Sequence, residues 1–126
     1  MNIYISHTKN FNFQKELYHP LKQLKGFKLI LPHEKSEKSK PSKNIIKKCS
    51  ALIAEISYPS HTVGVEVGWA DSFNVPIIFI FKKSTKVPSS LKLVSGKFIE
   101  YDKVDNIIHN IEDTLHKLCK SVNQPI

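Results

Sequence analysis

Ala54-Glu-Ile-Ser-Tyr-Pro-Ser-His-Thr-Val-Gly-Val-Glu-Val-Gly-Trp-Ala70 is the stretch on which the fold turns. The run from Ala51 to Ile56 that leads into it is short, apolar and bounded by polar residues, as a strand covered on both faces reads. Pro59 and Ser60 break it. A helix restarts behind them, with Ser60 or Thr62 placed to cap its first turn and Gly64, Glu66 and Gly68 along its length. A helix that starts just past the carboxyl end of a parallel strand points free backbone N–H groups at the edge where ligands of open α/β sheets collect. Glu66 falls near that first turn and faces the same crevice.

On the amino-terminal side, Asn2 to Ser6 reads as a first strand ending in the turn His7-Thr8-Lys9-Asn10. Phe13, Leu17, Leu21 and Leu24 recur at helical spacing, and Pro20 should bend that helix because it removes a backbone donor. Gly26 closes the unit, and Phe27 to Leu31 forms a second strand. His33 to Lys43 has almost nothing to bury and reads as a mobile loop, after which Ser42 caps a short helix through Ile45, Ile46 and Cys49. On the carboxyl side, the Glu66 helix runs to about Phe73 and stops at Asn74. Val75 to Phe81 is an apolar strand, Lys82 to Ser90 a basic loop, and Lys97 to Tyr101 a fifth strand. Val104, Ile107, Ile108, Ile111, Leu115 and Leu118 line a last helix. Strands alternating with helices predict a flavodoxin-like three-layer sandwich with a five-stranded parallel sheet, filling one domain over residues 1–126.

The 126 residues suffice for one buried core. No apolar run is long enough to span a bilayer, and Met1 leads at once into the first strand, so neither a membrane partner nor a signal peptide is expected. Cys49 and Cys119 stand apart without metal-site spacing, which fits a reducing cytoplasm. The net charge of +8 arises from 19 basic residues, all of them Lys, against 11 acids. That surplus suits an anionic small molecule or is simply a soluble surface, and the absence of Arg speaks against bidentate nucleic-acid readout. His109, Glu112 and His116 share a face of the last helix, which reads as its wet side rather than as a metal site.

Ala54-Glu55-Ile56, Pro59-Ser60 and Gly64-Val65-Glu66-Val67-Gly68-Trp69-Ala70, with Ile3-Tyr4 at the start, resemble the signature of the nucleoside 2-deoxyribosyltransferases and the related 2'-deoxynucleoside 5'-phosphate N-hydrolases. The resemblance implies cleavage or transfer at the N-glycosidic bond of a 2'-deoxynucleoside or its 5'-monophosphate, with no cofactor. It makes Glu66 the nucleophile, since a carboxylate beneath the anomeric carbon can trap an oxocarbenium-like centre. It makes Tyr4 the residue that orients that carboxylate or contacts the sugar, across a hollow large enough for a sugar. Ser60 matches the phosphate-accepting branch, where nucleoside enzymes carry an acid; as a plain helix cap it needs no ligand. Thr8, Lys9, Gly64 and Thr62 line the same anion-favouring edge, although the phosphate branch prefers Gly at the position of Thr62. Glu55 either steadies the site through a hydrogen bond or lies at the wet end of its strand. The family's second acid falls on Ser42 here, so His33, Glu34 or Glu37 would have to substitute. Homodimers or larger homo-oligomers are implied.

Two other readings share these residues. One is a non-catalytic nucleotide-binding module that keeps the pocket without the second acid. The other is a TIR-like domain, suggested by Ile3-Tyr4-Ile5-Ser6-His7 and a helical glutamate, acting on NAD or as an assembly module.

Overall fold

The computed structural model describes residues 1–33 and 42–123. Five parallel strands, β1 (Asn2–Ser6), β2 (Lys28–Ile30), β3 (Ala51–Glu55), β4 (Ile77–Lys82) and β5 (Lys97–Tyr101), form one sheet in the order β2-β1-β3-β4-β5. That is the flavodoxin-like order, with the chain reversing direction across the sheet between β1 and β3. Tyr4 pairs with Leu52 and Ser6 with Ala54, so β1 and β3 end together at the carboxyl edge.

The helices divide between the two faces because strand residues alternate. On one face Ile3, Ile5, Ile53 and Ile80 pack under Leu17 and Leu21 of α1 (Gln14–Tyr18 and His19–Leu21) and under Ile111 and Leu115 of α5 (Ile108–Asn123). On the other, Tyr4, Leu52, Ala54 and Phe79 meet Ile46 of α2 (Ser42–Lys47) and Val63 and Val67 of α3 (His61–Ser72). Each large side chain fully removed from water here stabilises the fold by about 1.5–3 kcal/mol. Gly96 packs so tightly on this core that a Cβ would lie 2.7 Å from the Phe79 ring and 2.8 Å from the Ile77 carbonyl. Trp69 is half-buried against the same core.

Several elements differ from the sequence expectation, each for a local reason. The helical segment α1 is π-wound over Gln14–Tyr18 and α-wound only over His19–Leu21. Pro20 offers no N–H and crowds the turn before it, which widens so that the His19 N–H reaches back five residues to the Gln14 carbonyl. Leu24 is buried but lies beyond the helix, in a turn closed by its N–H on the Leu21 carbonyl. β4 begins at Ile77 rather than Val75, because Pro76 has no donor for the ladder, although its carbonyl accepts the Leu52 N–H at 2.9 Å. A four-residue helix, α4 (Ser89–Lys92), occupies the end of the expected basic loop. A 3-10 turn, Val104–Ile107, precedes α5. Gly64 and Gly68, which could have let α3 approach the sheet closely, point away from it, with nothing within 4 Å of a Cβ at either. Val63, Glu66, Val67 and Ala70 are the inward positions of that helix. Among the described residues no helix is long and apolar enough to cross a membrane. The expected loop through residues 34–41 lies outside the described residues.

Candidate active site

The turn between β3 and α3 sets the site. Ser60, in extended backbone conformation, caps α3 by accepting the Val63 N–H at 3.2 Å, so the helix starts at His61 and its second turn brings Glu66 inward. There Glu66 is 5% exposed, beside the carboxyl end of β1. The Tyr4 hydroxyl donates to Glu66 Oε2 at 2.6 Å, and the Ser6 hydroxyl donates to Oε1 at 2.7 Å. Both carboxylate oxygens are thus held by neutral donors, which keeps the group fixed while leaving its charge unpaired with any cation in these bonds. The pairing of Tyr4 with Glu66 expected from sequence is present, as direct contact rather than across a hollow.

Burial and the bond to Glu66 push the Tyr4 hydroxyl far above the usual phenol range, and a hydrogen bond from Ser42 pulls the other way. Ser42, the first residue of α2, is near enough to act on the Tyr4 hydroxyl, and it occupies the sequence position where the resemblance calls for an acid. Glu34 and Glu37, candidate substitutes for that acid, lie outside the described residues.

His33, just after β2, is half-buried at the same edge. Burial and the nearby Lys9 charge hold its imidazole below the ordinary value, while the Glu66 carboxylate favours its protonated form. Lys9 itself is exposed. Thr8 is buried, with its hydroxyl accepting the Asn10 N–H at 3.3 Å and its carbonyl bound to His7. Thr62 is exposed on the first turn of α3. Ser60 and Gly64 line a cavity of about 210 Å³ with Tyr58, Val63, Lys86 and Leu91, and none of Tyr4, Ser6 and Glu66 lines it.

Glu55 is placed elsewhere. It lies at the end of β3 on the face covered by α1 and α5, 1% exposed, and accepts from Tyr101, from the Ser57 hydroxyl at 2.8 Å and from the Ser57 N–H at 2.5 Å. Burial raises its carboxyl above the usual range, against the pull of those donors. Ser57 Oγ in turn accepts the Lys82 N–H at 2.7 Å. Glu55 is neither at a wet strand end nor beside Glu66; it secures the turn that leads to Ser60. His109 and Glu112 form only a loose pair at 3.7 Å, His116 packs on Phe27, and among the described residues no group of side chains is arranged to hold a metal.

Sequence reasoning passed over Ser6. The signal was available, since Ser6 stands two residues from Tyr4, on the same face of β1 and closer to the carboxyl edge. It also passed over His7 and Tyr18, whose meeting depends on the winding of α1.

No family model matches the chain. A protein of Syntrophotalea carbinolica, provisionally named 2'-deoxynucleoside 5'-phosphate N-hydrolase 1, is 30% identical over 73 residues, covering 56% of this chain. The match takes in 51% of that protein, so the chain spans about half the length of the curated relative it matches. The structure of Clostridium botulinum CMP N-glycosidase BcmB superposes with a TM-score of 0.69 at 19% identity, over 89% of this chain and 98% of that one. The solution structure of BlsM gives 0.71 at 16% identity, over 98% and 94% of the two chains. These superpositions establish the fold. In its central motif and in its fold, the chain resembles the nucleoside 2-deoxyribosyltransferase and 2'-deoxynucleoside 5'-phosphate N-hydrolase superfamily.

Proposed function

We propose that this protein cleaves the N-glycosidic bond of a 2'-deoxynucleoside 5'-monophosphate or of the free nucleoside, with Glu66 as nucleophile. The observation that carries this reading is the buried Glu66 carboxylate held at 2.6 and 2.7 Å by the hydroxyls of Tyr4 and Ser6, at the ligand-binding edge of the sheet. The relatives named for N-hydrolase and N-glycosidase activity support the reaction class. A Glu66 oxygen attacks the anomeric carbon as the carbon–nitrogen bond breaks and its electron pair leaves with the base. A proton passes from the His33 imidazolium to the base nitrogen. Water then attacks the anomeric carbon of the glycosyl ester, its proton returns to His33, and the free carboxylate is restored. A second base in place of water gives transfer instead. Tyr4 and Ser6 hold the carboxylate in line and satisfy its oxygens between turnovers. Ser60 and the start of α3 favour the 5'-phosphate. The protein acts in the cytoplasm as a homodimer or larger assembly and needs no cofactor.

Incubation with a panel of deoxynucleotides and deoxynucleosides should release free base, and Glu66→Ala should release none while remaining folded. Equal behaviour of Glu66→Ala and wild type would end this reading. Ser42 at the start of α2, in the sequence position of an acid, favours a second one: a module that binds the nucleotide without cleaving it. Thermal stabilisation by nucleotides with no base released selects it.

A further inference from the structure

Away from Glu66, a directed chain of hydrogen bonds links the ends of β1, α1 and β2. His7 and Tyr18 are each 2% exposed. His7 Nδ1 lies 2.7 Å from the Thr8 carbonyl, which can only accept, so Nδ1 carries the proton. Nε2 of the neutral ring is then bare, and the Tyr18 hydroxyl, 2.5 Å away, must donate to it. The Tyr18 oxygen is left to accept, and it takes the His33 backbone N–H at 3.1 Å.

The winding of α1 accounts for Tyr18 being there. Leu17 and Tyr18 are consecutive and both buried, Leu17 in the core and Tyr18 at the sheet edge, and they close the π-wound turn that Pro20 enforces. Widened turns of this kind recur at functional sites. The rings then lock together: His7 meets His33 edge-on at 5.2 Å, and Phe13 lies 4.6 Å from His7 and 6.0 Å from His33. Among the described residues, His7 packs on the His33 imidazole and Tyr18 holds its backbone N–H, while Lys9 and Glu66 are the charges that act on it.

We propose that Tyr18 is a positioning residue: by pinning the His33 backbone to His7, its hydroxyl holds the His33 imidazole at the carboxyl edge of the sheet in the orientation that serves the leaving base. This rests on the glycosidic reading, which none of the hydrogen bonds within the chain requires. Nitrogen-15 spectra of the wild type should show His7 protonated at Nδ1. Tyr18→Phe keeps the ring and should lower kcat for base release about tenfold, the effect of one hydrogen bond, with KM little changed. The His33 titration midpoint should move toward the ordinary 6.5 as the ring loosens. His7→Gln, whose amide oxygen can accept from Tyr18, should retain most of the activity. A wild-type His7 protonated at Nε2, or Tyr18→Phe with an unmoved His33 midpoint, overturns the proposal. If the wild type releases no base, the glycosidic reading falls, while the His33 midpoint still decides the role of Tyr18.

Discussion

Ser6 donates its hydroxyl proton to Glu66 Oε1 over 2.7 Å, across 60 residues of sequence. It fills the oxygen that Tyr4 leaves, so neither end of the buried carboxylate is without a donor.

Ser6→Ala removes that donor without changing the strand. A buried carboxylate oxygen left unsatisfied costs about 1–3 kcal/mol, so denaturant melts should show a loss of that size. Base release should also fall, by about tenfold or more, because the carboxylate can rotate away from the line of attack. An unchanged kcat would mean that Tyr4 alone orients Glu66.

Ser42→Asp places a carboxyl at the start of α2, the position where the resemblance calls for a second acid. A positioned general acid contributes roughly 10²–10⁴-fold, and even imperfect geometry should raise kcat for deoxynucleotide cleavage by about tenfold. Steady-state kinetics beside the wild type measures this.

Burial lowers the His7 imidazole from 6.5 to about 4. Between those values the unfolded chain binds a proton that the folded one refuses. The stabilisation is therefore complete above about pH 6.5 and is lost as pH falls toward 4, by up to about 3 kcal/mol. His33 acts in the same direction, whereas Glu55, raised by burial, acts in the opposite one. Subtracting the stability of His7→Phe from that of wild type at each pH isolates the His7 part. A flat difference between pH 7 and 4 would contradict it.

Tyr101→Phe deprives buried Glu55 of one donor while leaving both from Ser57. The expected loss is about 1–3 kcal/mol in a thermal or denaturant melt, with no change in the sheet. Raising the pH should not restore it, since burial already disfavours the ionised form of Glu55 and loss of a donor disfavours it further.

Much of the fold was legible because strong local signals agreed with the global one. β1 and β5 stand where alternation and composition put them, Ser60 caps α3, and Asn74, at φ +59, ends it. The pairing of Tyr4 with Glu66 was implied by the resemblance of Ile3-Tyr4 and Gly64-Val65-Glu66-Val67-Gly68 to the family signature. What escaped reading was set by contacts distant in sequence. The spacing of Phe13, Leu17, Leu21 and Leu24 describes an ideal helix, but Pro20 changes the winding before it, and only the winding reveals which way Tyr18 points. α4 is too short to leave a period. Glu55 looked like an interruption of an apolar strand because its partner, Tyr101, lies two strands away in the sheet.

The two acids near the end of β3 face opposite layers: Glu55 is fastened beneath α1 and α5, and Glu66 hangs from α3 on the other side. The short link between them, from Ser57 to Ser60, is anchored from below through Ser57 and from above through the cap on α3. A change deep in the far layer can therefore reach the turn that leads to Glu66 without touching Glu66 itself. The rear of the sheet acts as a foundation for the placement of Glu66 at its front.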